Sequence, residues 1–217
     1  MSGNRQQLSQ LLAHPSVWRG RSRAAVQTFS SGFPALDAGL PGGGWPCHGL
    51  IEILAPQPGV GELHLLLPAL AALSRAAPAR WCAWVSPPYE PFAPALAAHG
   101  VAPDRMLVVR THLPLWAHEQ ALKSGACAAA LAWLPRASPK AVRRLQLAAE
   151  RGRTLGVLYR SQRHADEASP AMLRVLLDPL TRGGKRGARV QLIKSRGGSR
   201  APIELEWSAA AACPRES

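Results

Sequence analysis

With 217 residues and 47% hydrophobic content, the chain can bury one substantial core, and it is too short for two of comfortable size. A formal charge of +13 with a pI near 11.1 predicts an anionic partner, either nucleic acid or an acidic protein surface. The segment from Arg136 to Arg200 holds sixteen Lys/Arg against four Asp/Glu and carries +12 of the total, so the front half is nearly neutral. The composition excludes a zinc site or disulfide framework, because Cys47, Cys82, Cys127 and Cys213 stand alone without a CxxC pair. No apolar run reaches the length of a membrane span, and the start has no charged-then-apolar signal pattern. The expectation is a cytoplasmic chain.

In chain order, residues 1–30 predict a helix and basic arm, with Leu8, Leu11, Leu12 and Trp18 as an apolar face that needs a covering surface. These four residues are the expected partner contacts. Residues 31–49 contain a short helix around Leu36 and Asp37, followed by a loop broken by Gly42, Gly43 and Gly44. Leu50–Leu54 predicts a strand, 55–61 a turn, and Glu62–Ser74 a helix that Pro68 would kink.

Trp81–Val85 is a second strand, Pro91–His99 a short helix closed by Gly100, and Met106–Arg110 a third strand. Ala117–Ser124 predicts a helix, Ala128–Leu134 a strand, Ala141–Glu150 a helix and Leu155–Tyr159 a strand. Pro170–Leu177 is an amphipathic segment, and Arg189–Ile193 with Ile203–Trp207 predict a closing antiparallel pair. Strands alternating with helices imply βαβ units and a mainly parallel central sheet flanked by helices. The expected organisation is an N-terminal arm over 1–30, a core domain over 31–207 and a flexible tail over 208–217.

The stretch SGFPALDAGLPGGGWPCHGLIEILAPQPGVGEL, from Ser31 to Leu63, resembles the opening of a RecA-like core. Within it and just before it, PSVWRG from Pro15 to Gly20, LPGGGWP from Leu40 to Pro46 and PQPGVGEL from Pro56 to Leu63 resemble the ImuA family. That resemblance implies a non-catalytic accessory subunit of a damage-induced translesion synthesis complex. Its implied partners are ImuB, an inactive Y-family polymerase homologue, and an error-prone polymerase III α-type subunit. Single-stranded DNA or a RecA filament, and a homo-oligomer, are further partners left open.

A working P-loop follows GxxxxGK[ST], with Lys on the phosphates and a hydroxyl on magnesium. In Pro56, Gln57, Pro58, Gly59, Val60, Gly61, Glu62 and Leu63, Glu62 stands at the Lys position and Leu63 at the hydroxyl position. A carboxylate there repels phosphate. Ala128–Leu134 supplies no metal-binding Asp, and Glu90 is the only acidic residue after the second strand. The expectation is a degenerate P-loop, no catalytic residue, no metal and no cofactor.

His112, His118 and Glu119 lack metal-ligand spacing and read as exposed helix residues. Thr181–Arg189 and Lys194–Arg200 combine glycine with cations, a composition suited to phosphate tracking. The expected DNA contacts are Arg182, Lys185, Arg186, Arg189, Lys194, Arg196 and Arg200. Two alternatives stay open beside the accessory subunit. One is a divergent DNA-dependent ATPase of RecA type. The other is a SulA-like cell-division inhibitor: SulA resembles a RecA-like domain with a degraded nucleotide site, and the resemblance would imply binding to the tubulin-like division protein.

Overall fold

The computed structural model describes residues 27–195 and 201–207. The partner residues expected at Leu8, Leu11, Leu12 and Trp18, the PSVWRG motif, and Arg196 and Arg200 lie outside the described residues.

Four apolar runs become the parallel heart of the sheet: β3 (Gly49–Ala55), β4 (Trp81–Val85), β6 (Cys127–Trp133) and β7 (Leu155–Ser161). Their near-continuous burial is what a sheet covered on both faces demands. With β5 (Met106–Val109), β8 (Leu173–Arg182), β9 (Lys185–Lys194) and β10 (Ile203–Glu206) they form one eight-stranded sheet in the order β10-β9-β8-β3-β7-β6-β4-β5. Strands from β8 to β5 in that order run parallel, and β8–β9 and β9–β10 pair antiparallel. A small ribbon of β1 (Thr28–Phe29) and β2 (Trp45–Pro46) stands apart.

Helices cover both faces. On one side lie α1 (Pro34–Gly39), α2 (Leu67–Arg75) and α3 (Ala93–Ala98), which bring Leu36, Leu66, Leu70 and Leu96 onto Ile51, Ile53, Leu131, Val157 and Val175. On the other lie α4 (Pro114–Lys123) and α5 (Pro139–Gly152), where Leu122, Val142, Leu145 and Ala149 meet Leu50, Ala83, Ala130 and Leu158. Ser138 caps α5 by accepting a hydrogen bond from the Ala141 N–H. A Cβ on Gly152 would sit 1.9 Å from the Leu122 carbonyl oxygen, so the α4–α5 approach depends on that glycine.

The structure corrects three expectations. Pro68 does not kink a helix that starts at Glu62. It occupies the first turn of α2, where its missing N–H costs nothing, and 62–66 are turns. Pro170–Leu177 leads into β8, and the glycine-rich basic segment is not a loose loop. Gly183 and Gly184, at φ 57° and 77°, make the two-residue turn that joins β8 to β9 with Arg182 opposite Lys185. His118 is not exposed: it is fully buried, and neither ring nitrogen has a partner among the described residues. Burial drives its imidazole down to about 3.

The sheet also buries a charge cluster. Glu52 of β3, fully buried, accepts from Arg160 of β7 at 2.7 Å and from Arg174 of β8 at 2.8 Å. Arg160 also donates to the Ala137 carbonyl, and Arg174 to those of His164, Ala165 and Glu167. Three adjacent strands and the turn after β7 are thus pinned through one carboxylate. Among the described residues, no helix is long and apolar enough to cross a membrane.

A candidate binding groove at the strand ends

Open α/β sheets place their binding crevices beyond the carboxyl ends of the parallel strands. Here that end holds a groove of about 1180 Å³. Four separate segments build it: the turn after β3, the Pro-rich loop after β4, the end of β6, and the β8–β9 hairpin with the residues that close β10.

The turn after β3 is the segment that the sequence suggested as a degenerate P-loop, and its geometry differs from a phosphate cradle. The Glu62 carboxylate, almost fully buried, folds back onto its own loop and accepts the Gly59 N–H through both oxygens at 2.9 and 3.0 Å. The turn holds its own anion at the amide where a phosphate would seek a donor. Gly61, at φ 104°, lies so close to Trp207 that a Cβ would meet the indole nitrogen at 2.7 Å. Leu63, partly buried against the core, adds an apolar side chain to the lining and no hydroxyl. Because α2 begins only at Leu67, no helix N-terminus opens directly from this turn as the sequence reading expected.

Trp207 ties the C-terminal edge to this turn. Its ring stacks on His64 at 5.5 Å and meets Phe33 edge-on at 5.9 Å, while His64 meets His99 edge-on at 5.6 Å. Burial holds the His64 imidazole below its usual range, helped by the charges of His99 and Arg186 and opposed by Glu62. Trp84 and Trp133 form the floor, and Trp133 stacks on Tyr159 at 4.6 Å. Burial, reinforced by Glu62, raises the Tyr159 hydroxyl well above the ordinary tyrosine range. At the rim Tyr89 and Phe92 stand 66% and 68% exposed.

The residues expected to touch DNA are spread along the hairpin and are largely engaged. Lys185 pairs with Glu206 at 3.0 Å, and Arg189 and Arg182 pair with Glu204 at 3.0 and 3.7 Å. Lys194 donates to the Ser169 carbonyl at 2.5 Å. Of the five that are described, Arg186 is the one that stands in the groove without a carboxylate partner among the described residues. Glu90, the acidic residue after β4, pairs with Arg110. The aromatic rim and floor were missed as a site by sequence reading, since Trp84 and Trp133 sit in apolar runs that read as core.

These features define an α/β domain whose open strand ends present an aromatic groove, bordered by a turn whose Gly59 N–H is held by its own glutamate. Residues 50–156 match the family model described as "Cell division inhibitor SulA". The chain is 33% identical over 122 residues to "Cell division inhibitor SulA" of Serratia marcescens, covering 54% of this chain and 70% of that protein. The chain therefore belongs to the SulA family.

Two further relatives of the same description come from Photorhabdus laumondii, 35% identical over 111 residues, and Edwardsiella piscicida, 34% over 103 residues. The matches take in 50% and 46% of this chain, and the chain covers 62% and 61% of these relatives' length. Against the crystal structure of SulA from Pseudomonas aeruginosa the identity is 27% and the TM-score 0.44, covering 51% of this chain and 97% of that one.

The family match overturns the ImuA reading, together with the translesion-synthesis role and pseudo-ATPase label attached to it. ImuB and the polymerase III α-type subunit fall with it as expected partners. The structure shows why the motif misled. LPGGGWP precedes the matched region, and its residues do local packing: Trp45 is fully buried and pairs with Phe29, and a Cβ on Gly44 would sit 2.1 Å from the Phe29 carbonyl oxygen.

Proposed function

We propose that this chain is a cell-division inhibitor that acts by binding the tubulin-like division protein through the groove at its strand ends, without nucleotide hydrolysis. The observation that carries this reading is the extent of the family match, residues 50–156. That range includes three of the groove's four walls: the turn after β3, the loop after β4 and the end of β6. Inhibition by binding needs no catalytic group, and the Glu62 carboxylate at Gly59 leaves the turn without the cation that phosphoryl chemistry requires. The exposed aromatic pair at the rim suits protein docking, where buried aromatics dominate affinity.

Induced expression in a rod-shaped bacterium is the direct test. Multinucleate filaments are expected, and calorimetry with ATP is expected to show no binding heat. Normal division at full expression of folded protein would overturn the reading.

A further inference from the structure

The charges around the groove say what kind of segment it accepts. Three carboxylates line it, Glu62, Glu90 and Glu206, and each is already satisfied: by the Gly59 N–H, by Arg110 and by Lys185 respectively. Lys185 is neutralised in the same pairing. Arg186, exposed on the hairpin, has no carboxylate among the described residues and stands close enough to His64 to act on its titration. Among the described residues the groove therefore offers one guanidinium without a carboxylate partner, while Glu62 stays buried on its own loop.

The walls are apolar and aromatic. Tyr89 and Phe92 are left mostly in water although they flank a recess floored by Trp84 and Trp133, and exposed aromatic surface of this kind marks an interaction site. A volume of about 1180 Å³ is at or above the top of the range for small-ligand pockets, roughly 300–1,000 Å³, and suits several side chains of a peptide. Aromatic anchors beside an arginine are the composition of interface hot spots. A nucleic acid fits poorly, since a phosphate backbone needs a run of cations and the described lining holds one arginine without a carboxylate partner.

We propose that the groove receives a short apolar peptide segment bearing a carboxylate, with apolar side chains lodged between Tyr89, Phe92 and Trp207 and the carboxylate on Arg186. The proposal rests on the groove being the docking surface of the inhibitor, and adds the chemistry of what docks. The carboxylate supplies specificity through a charge-assisted pair that arginine can make in bidentate form, and the aromatic walls supply the buried area.

The test is selection of a phage-displayed dodecapeptide library on the immobilised full chain, with the winning peptides resynthesised with fluorescein and titrated by anisotropy. Enriched peptides are expected to combine Phe, Leu or Trp with an Asp or Glu. Arg186→Glu and Phe92→Ala, both at exposed positions, should each weaken binding about tenfold. Val108→Asp, on the far edge strand β5, should leave it unchanged. Replacing the peptide's carboxylate by its amide should abolish the difference between the protein and Arg186→Glu.

Peptides that are basic or uncharged, peptides that bind Arg186→Glu as well as the parent, or displacement of the peptide by a dT oligonucleotide at lower concentration would each overturn the proposal. The filamentation assay separates this outcome from the wider reading. Filaments that persist with Arg186→Glu and Phe92→Ala place division inhibition on another surface. Peptide selection that succeeds where the parent chain yields no filaments sinks the division role alone.

Discussion

Two buried glutamates, ten residues apart, are held in opposite ways. Glu52 lies inside the sheet and meets two arginines, each of which reaches on to backbone carbonyls. Glu62 lies in the turn at the end of the same strand and meets one backbone amide. The first carboxylate joins three strands and a turn, so architecture depends on its charge. The second fills a loop whose shape Gly59 and Trp207 also determine, so its charge matters mainly for what the loop refuses. Buried ions tolerate this contrast because the cost of desolvation is repaid only where several donors converge.

The contrast can be broken most sharply at Glu52. Glu52→Gln leaves the buried Arg174 without its carboxylate and Arg160 with only the half-exposed Glu167 at 3.5 Å, and loss of a partner in such a pair costs about 3–5 kcal/mol. Urea unfolding should show an unfolding free energy lower by that amount, seen as a lower midpoint with little change in slope. A variant as stable as the parent would show that the carbonyls and Glu167 satisfy Arg160 and Arg174 without Glu52.

His118 extends the comparison to a buried polar group with no partner among the described residues. With its imidazole driven down to about 3 from 6.5, the folded protein keeps it neutral while the unfolded chain takes up a proton. The unfolded state thus binds more protons between those values, and stability falls as pH falls across that window. The slope is about 1.4 kcal/mol per pH unit. Comparing unfolding at pH 6 and pH 4 should reveal it, and His118→Leu should flatten the part due to this ring.

Glu62 is expected to give the smallest effect. Glu62→Gln keeps an acceptor for the Gly59 N–H but loses the charge assistance, a change of about 1 kcal/mol. Calorimetry with inorganic phosphate then sharpens the point: the substitution removes the anion from the turn, so weak phosphate binding that is absent in the parent should appear. A loss as large as that of Glu52→Gln would erase the distinction between the two sites.

The sequence reading located the parallel strands well, because a strand buried on both faces must be apolar along its length, as in WCAWV and CAAALAW. It placed the β9–β10 pair for a similar reason. It read TRGGKRGAR as a flexible phosphate-tracking loop because cations and glycines look solvated in one dimension. In the fold, Glu204 and Glu206 come alongside from β10 and turn the same residues into a cross-strand ladder of ion pairs. The family assignment went astray for a related reason: a glycine-rich stretch and a tryptophan that close a local ribbon carry a signature of packing.

What the amino-acid order determined unaided is therefore the alternating strand–helix plan, a carboxylate at Glu62 in the turn after the first core strand and the excess of positive charge, since each is a property of contiguous residues. The groove, the pairing of its carboxylates, the Arg186 guanidinium left without a carboxylate among the described residues and the burial of His118 were decided only when distant segments met. Residues 59–64, 84, 87–92, 133, 179–181, 184–187 and 206–207 share one surface because the strand order brings their ends together. Desolvation and charge pairing depend on those neighbours in space, and no local pattern along the chain encodes them.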